Sequence, residues 1–557
     1  MRCVVRLGAK AVPCSSGLLH RCARGWRHHV SLGWAAEPAA VGARRGAAIG
    51  LVLAVLATIG WVQASEPASA SAHATSVISV VHRGPLGPPT PAGFLGLSLE
   101  YSSLPALTGD DPAAVDPVLV QLIRNLTPGQ APVLRIGGDS TDQTWWPTPG
   151  VVAPILPVAN YALTPGWFQT TAALARALNA RLILGINLAI DQPALAAAEA
   201  QAMLTQIGRR SIAAFEIGNE PDLYGSYPEY MSPGGLLVPV RGEGYDFGDF
   251  MEQFAAVDQA LPHLPIAGPA LARGSRWVVD LPQFVVAEPG LRMITLHLYS
   301  LTRCDTPPSS PLYPTIAHLL SDSTTTALTR SVASSVALAD ASHLELRVDE
   351  LNSVTCGGTA GVSNTFASAL WALNALFALD QAGVTGVNIH MFAGAQYAPF
   401  SVAEADGVWS ASVAPEYYGL LMFAQATPTG SRIMPSVSLR RARVKVWATI
   451  TPDKTIRVVL INESASSRNV VLKAPHGAAG RATAERLLAP SLSATNGVTL
   501  RGLTFGASTD TGILSGVSHV ARISPVKGLY RIGLPAASAT MLTWRHRRSR
   551  RARRISR

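Results

Sequence analysis

Two glutamates carry the chemistry that this sequence could do. The apolar run 213–217 leads into Gly218-Asn219-Glu220-Pro221, and a second apolar run, 344–349, leads into Glu350. A buried strand that stops at a carboxylate delivers that group to the rim of a sheet or barrel. Pro221 has no ladder donor and biases its predecessor toward extended backbone, so Glu220 is expected to be extended just past its strand. Two such carboxyls are what glycoside hydrolysis requires, one protonating the departing oxygen and the other acting as base or nucleophile. A lone strand-end glutamate is more often a salt-bridge partner or a cap. The reading therefore rests on the pair and on the elements that hold it.

Those elements alternate. Short apolar runs at 94–99, 132–137, 182–188, 213–217, 265–270, 293–299, 344–349 and 386–392 are separated by helix-like stretches such as 167–180, 193–207, 247–261, 325–341 and 366–382, with 415–426 following the eighth. Eight strands alternating with helices predict an α/β fold, a (β/α)8 TIM barrel, whose catalytic groups sit at the C-terminal strand ends. Counting puts Glu100, Glu220 and Glu350 at the ends of strands one, four and seven. Beyond residue 430 the texture becomes β-rich with turns between (444–450, 455–461, 469–473, 497–500, 528–532, 538–544), which predicts a C-terminal antiparallel β-sandwich. The organisation expected is a leader over 1–64, a linker over 65–76, the barrel over 77–430, the β-sandwich over 431–544 and a basic tail over 545–557. The run 77–81 precedes the first barrel strand and is a candidate to join the β-domain.

The 557 residues carry a formal charge of +10, which would suggest a nucleic-acid partner if it were spread evenly. It is not: eight Lys and Arg lie in 1–64 and eight Arg in 545–557, and what remains holds more acids than bases. The body is not a nucleic-acid binder. Arg44-Arg45, an apolar stretch and then small residues follow the order of a secretory signal, and an N-terminal anchor is the other reading. Either exports the body, so a secreted or extracytoplasmic protein is expected. Cys3, Cys14 and Cys22 fall in the leader; Cys304 and Cys356 remain, as a disulfide or as two free thiols. The arginine tail is either simply solvated or a weak, salt-sensitive attachment to an anionic surface, and the leader offers a second point of attachment.

Taken in order, Gly96-Leu97-Ser98-Leu99-Glu100, Leu134-Arg135-Ile136-Gly137-Gly138-Asp139-Ser140, Phe215-Glu216-Ile217-Gly218-Asn219-Glu220-Pro221-Asp222, His297-Leu298-Tyr299, Glu350-Leu351-Asn352-Ser353 with Gly357-Gly358, and Asn496-Gly497-Val498-Thr499-Leu500 resemble glycoside hydrolase family 79. That family holds the heparanases and microbial β-glucuronidases among the clan A retaining glycosidases. The resemblance implies Glu220 as general acid/base and Glu350 as nucleophile. It further implies Asn219 as donor to the sugar 2-hydroxyl, Tyr299 as hydroxyl donor to the nucleophile, and Gly357, Gly358 and Tyr397 as carboxylate-binding groups in place of an obligatory arginine. Glu100 is expected on hydroxyls of the terminal sugar. His297 is either part of the site or a satisfied core histidine.

The function implied is a retaining exo-β-glucuronidase acting on a glucuronide or uronic-acid glycan. Alternatives are endo-cleavage of a uronic-acid polymer, removal of a neutral sugar, and carbohydrate binding on an inactive barrel. The chain has no His-Glu-x-x-His, phosphate-loop lysine or dinucleotide glycine motif, and neither a metal nor another cofactor is expected.

Overall fold

The computed structural model describes residues 76–79, 85–148, 158–232, 235–304, 306–436, 443–473, 478 and 480–545. The leader, its cysteines, nearly all of the linker and all but the first residue of the tail lie outside them. All described residues belong to one compact unit, Ser71–Arg557.

Eight parallel strands close into a barrel: β1 (Leu95–Glu100), β2 (Val133–Gly137), β3 (Arg181–Ile186), β4 (Ile212–Ile217), β5 (Ile266–Leu271), β6 (Leu291–Leu301), β7 (Glu345–Val354) and β8 (Gly386–Met391). They are the eight runs expected, in sequence order around the barrel, with β8 closing onto β1. The strands read as continuous apolar runs because helices cover one face and side-chain layers fill the other. The helices start where sequence permits. Thr164 caps Pro165–Leu178 by accepting from the Trp167 amide, and Ser321 caps Asp322–Ser342 through Thr324. Each supplies an oxygen to a first-turn N–H that has no partner within the helix.

Two differences from the expected strands matter. Both β6 and β7 run on past the predicted ends, so Tyr299 and Glu350 lie within paired strands, not at their tips. The pairing also slips: Thr295 opposes Arg347 while His297 opposes Glu350, and a matching slip separates Val348 from Leu351 against β8. The additional residue is a bulge in β7. It breaks the inward–outward alternation and lets consecutive Asp349 and Glu350 both reach the barrel interior.

The C-terminal region is a sandwich. Strands Val444–Ile450, Ile456–Asn462, Ser538–Trp544 and Ala482–Leu488 form the middle of its larger sheet, and Ser76–Ser79, Arg468–Lys473 and Leu529–Leu534 form the smaller one. The N-terminal strand thus joins the β-domain, in parallel with Arg468–Lys473. Ala482–Leu488, not foreseen as a strand, pairs along Ser538–Trp544. Alternation explains how one sheet serves two cores: Val458, Leu460, Leu542 and Trp544 face the smaller sheet, while Val459, Ile461, Ala539 and Met541 join the core of the barrel. Trp447 stacks on Phe377 of the helix Phe366–Ala382 at 5.4 Å between ring centroids. That helix is covered on both sides, which is why it is apolar nearly all round.

Candidate active site

The carboxylates converge on one arginine. Arg135, fully buried on β2, donates from Nε to Glu216 (2.6 Å), from Nη1 to Glu350 (2.8 Å) and Ser98 (3.2 Å), and from Nη2 to Asn219 (2.8 Å). One rigid guanidinium fork therefore fixes groups from β1, from β4 and the turn after it, and from β7. The two glycines that follow are sterically required. A methyl group on Gly137 would stand 2.8 Å from Arg135 Nε, and one on Gly138, at φ +76°, would overlap the Glu100 carboxylate.

Glu350 is 7 % exposed and accepts the Tyr299 hydroxyl at 2.5 Å. Burial alone would raise its pKa; His390, His297, Arg135 and the Tyr299 hydroxyl more than offset this and hold it well below the carboxylate range. His390 is itself pushed down to about 4 by burial and is neutral near pH 7. The standing positive charge is that of Arg135 and of His297, which burial alone would lower but which Glu350 and the hydrogen bond to Glu220 raise to about 9. Tyr299, raised by burial and by Glu350, keeps its proton to donate. Neighbouring Asp349 is raised well above its ordinary value by burial and by Glu216.

Glu220 has the opposite bias. Burial raises its pKa, His297 pulls it back, and Glu350 and Asp139 raise it again, leaving it above the ordinary value. His297 Nδ1 lies 2.9 Å from Glu220 Oε1. Glu220 is not extended as Pro221 suggested: it sits in the left-handed region at φ 48°, ψ 50°. Gly218 turns the chain at φ +80° and the Glu220 amide donates to the Ala270 carbonyl of β5 at 3.0 Å. Tertiary hydrogen bonding thus overrides the local pre-proline preference, and the strain falls on Glu220. Asp142 supports the same turn, accepting from the Asn219 amide (3.1 Å) and the Tyr224 hydroxyl (2.5 Å).

One oxygen or nitrogen each from Glu220, His297 and Glu350 lies within 4.8 Å of the other two. Such a group could hold a cation by distance, but His297, with its pKa near 9, keeps the proton that a metal ligand must give up.

Glu220 and Glu350 line a cleft of about 300 Å³ whose walls also include Glu100, Asp139, Tyr299, Gly357, His390 and Tyr397. Glu100 accepts from the Ser140 amide at 2.8 Å and from its hydroxyl, and burial followed by Asp139 lifts its pKa to about 8. Largely protonated near neutrality, it can both donate to and accept from sugar hydroxyls. Asn219 is buried behind this wall; Arg135 holds its Oδ1, leaving Nδ2 toward Asp139 at 3.3 Å. Cys304 and Cys356 are joined in a disulfide, Cα atoms 6.5 Å apart, and both line the cleft.

The expected carboxylate-binding loop is only partly placed there. Gly358 is buried, its amide donates to the Thr355 carbonyl at 3.3 Å, and a Cβ would press on Tyr397 at 3.0 Å. It serves packing, not the cleft. Gly357 and Tyr397 do line the cleft. Sequence reasoning passed over Arg273, which follows β5: its Nε donates to the Tyr299 carbonyl at 2.6 Å, and its outer nitrogens bond to no other described residue while it lines the same wall. Arg135 stands in the sequence only as a member of a motif, whereas for His297 the structure selects the site over the core-histidine alternative. The one sequence signal for Arg135 was a charge inside an apolar run.

No family model matches the chain. A β-glucuronidase of Neurospora crassa is 23% identical over 431 residues, covering 69% of this chain and 74% of that protein. Among solved structures, a 4-O-α-L-rhamnosyl-β-D-glucuronidase from Fusarium oxysporum 12S superposes with a TM-score of 0.66 at 21% identity, over 84% of this chain and all of that one. The GH51 arabinofuranosidase from Xanthomonas axonopodis pv. citri gives 0.59 at 15% identity, over 84% and 99%. At these identities the structural likeness establishes the fold alone: a TIM barrel with a C-terminal β-domain.

Proposed function

We propose that this protein is a glycoside hydrolase, a retaining exo-β-glucuronidase related to glycoside hydrolase family 79. The observation that carries the reading is the pairing of Glu350, whose carboxyl is held well below the ordinary range, with Glu220, whose carboxyl is raised above it by burial, an oxygen of each within 4.8 Å of the other. Retaining enzymes keep their carboxyls about 5–5.5 Å apart, whereas inverting ones leave about 6.5–9.5 Å for a water. In the first step a Glu350 oxygen attacks the anomeric carbon, the bond from that carbon to the departing oxygen breaks, and the Glu220 proton passes to that oxygen. In the second, Glu220 takes a proton from water, the water oxygen bonds to the anomeric carbon, and the Glu350 ester bond breaks. Arg135 and Tyr299 stabilise the Glu350 carboxylate whenever it is free, and His297 steadies Glu220 once it has lost its proton.

Substrate class follows from the cleft and from its relatives. Both glucuronidases named above act on glucuronides by their names, and here Arg273 supplies a cation with free donors. It is the candidate partner for the uronate carboxylate, with the Gly357 amide and Tyr397 beside it. A disulfide at the cleft suits an oxidising compartment and fits the export signal read in the leader.

The test is a panel of aryl β-glucuronide, β-glucoside and β-xyloside with the product anomer followed by NMR. The glucuronide is expected to lead in kcat/KM by on the order of 10²-fold, with retained configuration. Preference for a neutral sugar defeats the carboxylate reading, and an inverted product defeats double displacement.

A further inference from the structure

The barrel also opens at the end away from the catalytic cleft. A pocket of about 440 Å³ lies there, walled by residues at the starts of the strands. Among the described residues its charged walls are Arg181 of β3, Arg292 of β6, and Glu345 and Arg347 of β7. Three guanidiniums thus face one carboxylate, an excess of two positive charges. None of the three arginines forms an ion pair with a described residue. The inner wall is apolar: Ala214 and Met293 line the pocket and, with Ile183 and Ala267, make a small cluster of their own inside the barrel. Such a low-dielectric backing strengthens the field of the charges beside it.

Arg347 is the unusual member, since it is only 2 % exposed. It is held rigidly: Nε donates to Asn388 Oδ1 at 2.5 Å and Nη2 to the Gly93 carbonyl at 3.0 Å, while Asn388 Nδ2 is itself held by the Leu97 and Val133 carbonyls at 2.8 and 2.9 Å. Gly386 makes room for the guanidinium, because a Cβ there would overlap Nη1. Nη1 bonds to no described residue and is not fully enclosed, so it opens onto the pocket. Burial pulls the Arg347 pKa down to about 10, and Glu345 and Asp349 oppose that only in part. A buried cation so weakly compensated gains from an anion brought to it.

Arg181 and Arg292 stand at the exposed rim. Arg181 donates to the Arg210 and Ile212 carbonyls, both at 3.1 Å, and Arg292 Nη1 to those of Pro289 and Leu291 at 3.3 and 2.9 Å. These bonds fix the two side chains and leave Nε of each, and Nη2 of Arg292, without a described partner. Guanidinium forks match the oxygen edges of carboxylates and phosphates. A single carboxylate would cancel half of the excess charge and offers two oxygens in one plane. A tetrahedral dianion cancels all of it and can turn an oxygen to each of β3, β6 and β7. We infer that the floor of the barrel is a binding site for a doubly charged tetrahedral oxyanion, inorganic phosphate or sulfate or a phosphomonoester, with Arg347 as its buried partner. The site goes beyond the glucuronidase reading and does not depend on it.

The test is calorimetric titration and thermal unfolding of the full chain with phosphate, sulfate or glycerol phosphate, each against chloride at equal ionic strength. Saturable binding is expected, with a rise in thermal midpoint that chloride does not reproduce, because the anion binds the folded barrel and not the unfolded chain. The order of affinity among the three tells a free ion from an ester. Arg181→Gln and Arg292→Gln, at exposed positions, should keep the fold and each weaken binding by about three- to tenfold, the scale of one charge-assisted hydrogen bond. Arg347→Met should abolish it, and if that variant does not fold the two rim variants decide the matter. A response no larger than that to chloride, or binding that the floor variants leave intact, overturns the inference. Binding lost in Arg273→Gln instead would place the anion in the catalytic cleft and overturn it as well.

Discussion

Arg135 and Arg347 look alike in sequence, each the second residue of an apolar Leu-Arg-Ile or Leu-Arg-Val run, and each is buried inside the barrel. Arg135 meets Glu216, Glu350 and Asn219 near the C-terminal strand ends, and carboxylates keep its charge firmly in place against the burial that would lower its pKa. Arg347, near the start of β7, donates among the described residues to neutral acceptors, the Asn388 amide oxygen at 2.5 Å and the Gly93 carbonyl at 3.0 Å; burial, only partly opposed by Glu345 and Asp349, pulls its pKa down to about 10. One arginine orients Glu350 and supplies its counter-charge. The other plugs the floor of the barrel, and the difference lies entirely in what stands across from each.

The sharpest way to break this contrast is to remove the acid that defines it. Glu350→Ala should lower kcat by on the order of 10⁴–10⁶-fold, with azide restoring cleavage of an activated aryl substrate to an inverted product detectable by NMR. Unchanged turnover would leave Arg135 without its assigned purpose. Next in size, Arg135→Met should cost roughly 10²–10³-fold in kcat/KM and about 3–5 kcal/mol of stability, because two buried carboxylates lose their counter-charge. Arg347→Met should cost about 1–3 kcal/mol per orphaned acceptor and leave kcat per folded molecule near the wild-type value. Urea unfolding and active-site titration separate the two, and a catalytic loss at Arg347 with intact stability would erase the distinction. The smallest effect sharpens it: His297→Gln removes a cation that lowers the pKa of both Glu220 and Glu350. Both carboxyls should then titrate at higher pH. The acid limb, where Glu350 gains a proton, and the alkaline limb, where Glu220 loses one, should move upward together. A profile that stays in place would show that His297 is neutral in the working enzyme.

Much of this site was legible because period and strand order are local properties. Eight apolar runs separated by helices announce the barrel, and the barrel says which ends of the strands matter. The barrel marks Glu100, Glu220 and Glu350 as strand-end carboxyls and the motif resemblance singles out the last two, while the helices 366–382 and 415–426 follow from the period alone. The left-handed turn at Glu220 could not be foreseen, since the Ala270 carbonyl that stabilises it belongs to the next strand. Nor could Gly358, whose role depends on Tyr397 lying against it.

The sequence by itself therefore determined the architecture, the two candidate carboxyls and the residue types around them. Tertiary structure decided the protonation pattern, through Arg135 and His297, and the bulge in β7 that turns both Asp349 and Glu350 inward. The physical reason is that pKa values and pocket walls are set by groups brought together from distant strands, and a linear pattern records each strand's own alternation but not what it will face.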